Sequence, residues 1–154
     1  MKIEFWYDKD KKIIRKDLFS EQADNIAKEI FNEKNNKRNN PAQIRKFYDE
    51  VLRIDSILKT LPVEKREEEF AKLLPYLMIL NSKAHYAEAR ELVSKTFREF
   101  MRVCLSQIKT YNDFEAFAAL FEAFMGFYKY YVEVIEDPTK LEKKEVIKNE
   151  TQGD

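Results

Sequence analysis

Two glycines, Gly126 and Gly153, are all that this chain of 154 residues holds. A β-rich fold of that length spends several glycines on turns with left-handed backbone, and four prolines do not replace them. Helices joined by short polar connections are the architecture that remains. The length suits one domain, which buries about 68–70% of its unfolded surface with no disulfide or metal. No apolar run reaches the roughly 18–20 residues of a membrane span. Met1-Lys2-Ile3-Glu4-Phe5 lacks the apolar stretch of a secretory signal. The one cysteine, Cys104, has no internal partner, which points to a reducing cytoplasm.

The same scarcity removes much chemistry. A phosphate-binding Gly-x-x-x-x-Gly-Lys loop and a Gly-x-Ser-x-Gly elbow need glycines that are not there. The single histidine, His85, rules out two-histidine zinc sites, paired Glu-x-x-His di-iron sites and HExxH proteases. The expectation is a protein without catalytic residues, metal or cofactor.

The expected fold is all-α: a single bundle of about five helices over residues 17–138. Residues 1–16 precede it as a small hairpin or an apolar arm, with Trp6 as an anchor or a protein contact. A flexible charged tail, 139–154, follows. The first helix starts near the cap Ser20 and runs to about Lys34. The polar stretch from Asn35 to Asn40 reads as a mobile basic loop. In the second helix Asn40 is the cap, Pro41 the first residue and Gln43 the capping-box position. Its apolar stripe is Ile44, Phe47, Val51, Ile54 and Leu58. A third helix opens at Glu64 and is kinked or broken at Pro75. Tyr76 to Leu80 reads as too apolar for a surface. A fourth spans roughly 86–109, burying Val93, Phe97, Phe100, Cys104 and Ile108. The last begins at Asn112, with Glu115 completing a capping box, and ends at Asp137-Pro138. Phe114, Phe117, Phe121, Phe124, Tyr128, Tyr131 and Ile135 form its aromatic face, and Ala116, Ala119, Ala123 and Gly126 a face of small residues. Such a helix is central, or buried on a partner.

The chain has 28 basic and 28 acidic residues, but they are not evenly spread. Lys34, Lys37, Arg38, Arg45, Lys46 and Arg53 face two acids, a local +4. Lys83, Arg90, Lys95, Arg98, Arg102 and Lys109 face three, a local +3. Residues 113–137 carry −5. The first basic region leads into a helix N-terminus, where free N–H groups attract anions, so Gln43, Arg45 and Lys46 are placed for phosphate. The bland reading is a surface loop before a well-capped helix. In the second region Lys95, Arg98, Arg102 and Lys109 share one helical stripe. That stripe either follows a phosphate backbone or is a solvated face with Glu91–Lys95 as an ordinary pair.

Two stretches carry a family resemblance. Gln43-Ile44-Arg45-Lys46-Phe47-Tyr48 is similar to a helix-opening Ser-Gln-Leu-Arg-Lys-Phe-Tyr motif. Phe114-x-x-Phe117-x-x-x-Phe121-Glu122-Ala123-Phe124-x-x-Phe127-Tyr128 is similar to a C-terminal aromatic helix. Both resemble the small subunit of the type III-A CRISPR effector, the Csm complex, over roughly residues 20–135. The resemblance implies a non-catalytic helical subunit for antiviral defence. Several copies would line a ribonucleoprotein filament, touch guide RNA and target RNA, and pack on other subunits. Cleavage would belong to neighbouring subunits. By charge and spacing the candidate RNA-contact residues are Lys34, Lys37, Arg38, Gln43, Arg45, Lys46, Lys83, Lys95, Arg98 and Arg102, and the resemblance favours the basic loop with Arg45 and Lys46 among them. Pro41-Ala42 stand where the family often has Thr-Ser, and Lys83 where it often has Arg, which keeps charge but loses the bidentate fork.

Cys104 reads as a core thiol, His85 as a surface or capping residue, and the acids from Glu64 to Glu69 as solvated. Tyr48 is the one aromatic placed to reach RNA. The competing reading is a helical adaptor or self-assembling scaffold with no RNA contact, its interface on the apolar last helix.

Overall fold

The computed structural model describes residues 1–136 and 150–151. A two-stranded antiparallel hairpin, β1 (Trp6–Asp8) and β2 (Ile13–Ile14), precedes five α-helices. These are α1 (Ala23–Asn32), α2 (Pro41–Lys59), α3 (Val63–Ala89), α4 (Lys95–Ser106) and α5 (Tyr111–Ile135). The all-α bundle is as expected, and of the two readings for the N-terminus the hairpin forms. Asp113 and Ile3 hold it in place. The Trp6 indole donates to Asp113 Oδ1 at 2.8 Å. Gln107 Nε2 donates to the Ile3 carbonyl at 2.7 Å, and Ile3 and Phe5 are buried. Trp6 is therefore an anchor to α5.

The helices close a ring: α5 packs on α1 and α2, α2 on α3, α3 on α4, and α4 on α1. Apolar residues on α5 explain this order. Phe114, Phe117, Phe121, Phe124 and Tyr128 are fully buried, and Phe121 is the centre of their packing. Its ring lies 5.3 Å from Tyr48, 5.7 Å from Phe100, 5.8 Å from Phe117 and 5.8 Å from Phe124, centroid to centroid. Edge-on and tilted aromatic pairs at this spacing add attraction beyond the area they bury. Ala116 is buried, whereas Gly126 is exposed and a Cβ there would meet nothing within 4 Å. The small-residue face thus leaves the core toward its C-terminal end, and Ile135 is exposed.

Several boundaries differ from the sequence expectation. Ser20 is no cap: a wide π-helical turn, Leu18–Gln22, leads into α1, with the Gln22 N–H bonded to the Asp17 carbonyl at 3.0 Å. Asn40 and Pro41 start α2 as expected, the Asn40 side chain accepting from the Ala42 N–H. Gln43 makes no return bond to that cap and accepts from Lys46 Nζ instead. Pro75 does not break α3. Pro75 and Ala71, whose carbonyl loses its partner, are both exposed, so water can serve that oxygen. The expected fourth helix is two elements: α3 runs to Ala89, and a turn through Glu91, with φ of 60°, separates it from α4. All five residues expected on the buried face of α4 are buried. The cap of α5 is Thr110, two residues earlier than expected, with Asp113 as its capping-box partner. Glu67 of α3 also accepts from the Tyr111 N–H at 3.0 Å. The expected stop at Asp137-Pro138 and the tail lie outside the described residues, apart from Glu150 and Thr151.

Two outcomes follow from this packing. Phe121→Ala is expected to cost about 3–5 kcal/mol in chemical denaturation, since four ring partners cannot close over the cavity. Asp113 gives a pH signature. Burial alone would raise its carboxyl, but hydrogen bonds from the Lys109 N–H, the Trp6 indole and Thr110 hold it below the usual carboxylate range. Its folded pKa is therefore depressed, and the unfolded chain takes up the proton first. The stability it contributes is present above the ordinary 3.8 and is lost as pH falls through that region. The gap in stability between wild type and Asp113→Asn is expected to narrow on acidification from about pH 5 to about pH 3.

Candidate nucleic-acid interface

Asn39 organises the charged surface. It is completely buried, with φ of 59°, a left-handed conformation that asparagine tolerates better than most residues. Its amide Nδ2 donates to the Ile30 carbonyl at 2.9 Å, at the end of α1. Its Oδ1 accepts from the Ser94 N–H at 2.8 Å, and Ser94 is the cap of α4. Its backbone N–H reaches the Leu92 carbonyl at 3.0 Å, and its own carbonyl accepts from the Tyr128 hydroxyl of α5. One side chain and one peptide unit thus tie α1, α5 and the starts of α2 and α4 together. Burial pushes the Tyr128 hydroxyl far up, so it stays a donor.

The stretch 35–40 is accordingly a pinned turn, not the free loop expected. Asn35 Oδ1 accepts from the Lys37 and Arg38 N–H groups at 2.9 and 2.6 Å. Arg38 Nε donates to the Glu33 carbonyl at 2.8 Å. Because Asn39 holds Ser94, the N-terminal ends of α2 and α4 lie side by side. The two basic regions, far apart in the chain, meet there. A notch between them is lined by Arg38 and Lys95 together with Val93, Ser94 and three acids, Glu33, Glu88 and Glu91; Glu88 is bound to Arg98.

The ten candidate RNA-contact residues separate into three groups. Among the described residues Lys37, Arg38, Lys46, Lys83 and Lys95 make no ion pair, and Gln43 stands beside Lys46. Arg45 and Arg102 are exposed but paired, Arg45 with Asp49 at 3.4 Å and Arg102 with Glu99 at 2.9 Å. Lys34 and Arg98 hold the fold together. Lys34 keeps 11% of its side chain exposed and lies 2.6 Å from Glu136. Arg98, at 15%, bonds Glu88 at the end of α3 and Glu99 on its own helix. The hydrogen bond from Arg102, aided by Arg98, brings the Glu99 carboxyl down to about 2. The two arginines of the expected α4 stripe are thus neutralised, by Glu99 on α4 and Glu88 on α3, while Lys95 is not. The Glu91–Lys95 pair does not form, since Glu91 is in the turn and not on the helix. Lys83 lies close enough to Glu50 to lower that carboxyl, after the larger effect of Arg53.

Tyr48 is buried against Phe121 and offers no face to a base. Cys104 is buried and its thiol is raised. His85 is exposed, its Nδ1 2.7 Å from the Asn81 carbonyl. Sequence reasoning missed Tyr76 and Tyr86, which are 61% and 66% exposed on α3, together with Ile79 at 46%. The signal was present as the 3/4 repeat Tyr76, Ile79, Lys83, Tyr86, Arg90, but an apolar repeat reads as buried.

The geometry defines a small helical bundle in which Arg38 and Lys95, neither ion-paired among the described residues, share a notch where two helix starts meet. The family model described as Csm2 Type III-A matches residues 15–133. The chain belongs to that family, the small subunit of the type III-A CRISPR effector complex. The match covers all of α1 to α4 and nearly all of α5, and leaves residues 1–14 outside. No curated protein and no solved structure gives a significant match.

The hub has a measurable signature. Asn39→Ala removes both side-chain bonds, leaving the Ser94 N–H buried without a partner and the Ile30 carbonyl with the Glu33 N–H alone. A loss of about 2–4 kcal/mol in denaturant unfolding is expected. Asn39→Gly tolerates the positive φ but should recover only a small part of that loss.

Proposed function

We propose that this subunit is non-catalytic and binds the sugar–phosphate backbone of guide and target RNA through the surface around Asn39. It would act in the cytoplasm, beside copies of itself and the other subunits of its complex. The observation that carries the reading is the meeting of Arg38 and Lys95, neither ion-paired among the described residues, where Asn39 joins the starts of α2 and α4, with Lys37 in the same turn and Lys46 on the second turn of α2. Free N–H groups and dipoles there favour anions, and the lysines add point charges. Such contacts position a strand without reading its bases. Gln43 and Lys83 extend the surface, and Arg45 and Arg102 join it only by exchanging their carboxylates for phosphate. Lys34 and Arg98 act by holding the surface in shape.

The adaptor reading draws on a different observation. Phe19, Ala123, Gly126, Phe127, Tyr130 and Tyr131 line an apolar groove open to solvent, a suitable contact for a neighbouring subunit.

RNA affinity measured against salt separates the two. Lys46→Ala with Lys95→Ala should weaken binding and lower the slope of log affinity against log salt by about 0.7 for each lost contact on a single strand. Both side chains are exposed, so the unfolding midpoint should not move. Equal affinity and slope in the double variant at low salt would discard this surface. Wild-type binding that ignores salt would favour the adaptor.

A further inference from the structure

We infer that the outer face of α3 is a stacking track for single-stranded RNA, with Tyr76 and Tyr86 as its ring platforms. This rests on the RNA-binding reading above and adds base contact to phosphate contact.

Tyr76, Ile79, Lys83, Tyr86 and Arg90 recur at steps of three and four. They fall within about 80° of the helix circumference and extend about 21 Å along its axis. In a globular helix this spacing marks the buried stripe. Here α3 buries Phe70, Leu77, Leu80, Ala84 and Ala87 on its other side, and the tyrosine stripe is left in water. The Arg90 guanidinium lies 5.5 Å from the centroid of the Tyr86 ring, so that ring already receives a flat cation.

The charge around the rings suits a polyanion. From residue 73 to residue 90 the one acid is Glu88, and it is bound to Arg98. From α2, Glu50 approaches Lys83, but Arg53 holds both of its oxygens, at 2.6 and 3.1 Å. A lysine at the middle of the stripe argues against a protein partner, since lysine is depleted from the cores of protein interfaces. Rings alternating with cations are what sequence-tolerant single-strand binding uses. Tyr130, the exposed ring of α5, has Glu133 on the following turn instead.

The track also leads somewhere. Arg90 begins the turn whose Leu92 and Ser94 are held by Asn39. A strand leaving the rings therefore comes to the notch that holds Arg38 and Lys95, and passes the exposed Glu91 on the way.

The test is titration of the full-length chain with a fluorescently labelled oligouridine at several salt concentrations, read by anisotropy. Tyr76→Ala and Tyr86→Ala should each weaken binding by roughly five- to 100-fold, the range for loss of one stacked base. The salt slope should stay unchanged, because no cation is removed. Tyr76→Phe and Tyr86→Phe should bind close to wild type. If both alanine variants match wild type while Lys46→Ala with Lys95→Ala is weakened, the track is wrong and the phosphate surface stands. If the phenylalanine variants lose as much as the alanine ones, the hydroxyls matter instead of the rings, and stacking is overturned. If the alanine variants keep RNA affinity but no longer recover the other effector subunits in a pull-down, the face docks protein and the proposal fails. If wild type does not bind at low salt, both readings fall.

Discussion

Burial of α5 around most of its circumference is the constraint to which the other elements answer. The helix carries more aromatic surface than one neighbour can cover, so α1 and α2 flank it while Phe100 of α4 reaches Phe121 and Phe124 from across the bundle. Phe121 touches rings from α2 and α4 as well as its own helix. Aromatic packing at these centroid spacings is directional, so it fixes how the helices are turned about their axes as well as how close they come. The N-terminal hairpin depends on the same helix, through Asp113.

Asn39 connects that core to the surface. Its carbonyl receives the Tyr128 hydroxyl from the end of the aromatic series, and its side chain holds the cap of α4. A polar group buried without partners would be costly. All four hydrogen-bonding groups of Asn39 are matched, and satisfying them forces two helix starts to be neighbours. The juxtaposition of Arg38 and Lys95 is thus a by-product of hydrogen-bond satisfaction inside the bundle.

Neutral net charge conceals a division of labour among the basic residues. Arg98 clamps α4 to α3 through Glu88, and Lys34 reaches Glu136. Both are too enclosed to present charge outward. Lys37, Lys46, Lys83 and Lys95 are exposed and unpaired among the described residues. In a family of subunits within a ribonucleoprotein, the first set keeps the second in place. The acidic α5 and its apolar groove lie apart from the starts of α2 and α4.

What the sequence determined by itself is the fold class and the buried faces. Scarce glycine, the 3/4 repeats and the Asn40-Pro41 start are local features, and local physics governs them: φ preference, helix periodicity and capping. It also carried the family, through the opening of α2 and the aromatic series of α5. Helix ends were less legible. The cap at Thr110 and the turn at Glu91 are selected by partners such as Asp113 and Asn39, one of them distant in the chain. Which cations are free could not be read at all. Arg98 and Lys95 are three residues apart on the same helix, yet one is engaged by Glu88 and the other is not. Only the placement of α3 against α4 decides that. The exposure of Tyr76 and Tyr86 has the same origin: α3 is apolar on more than one side, and tertiary packing chose the side to bury.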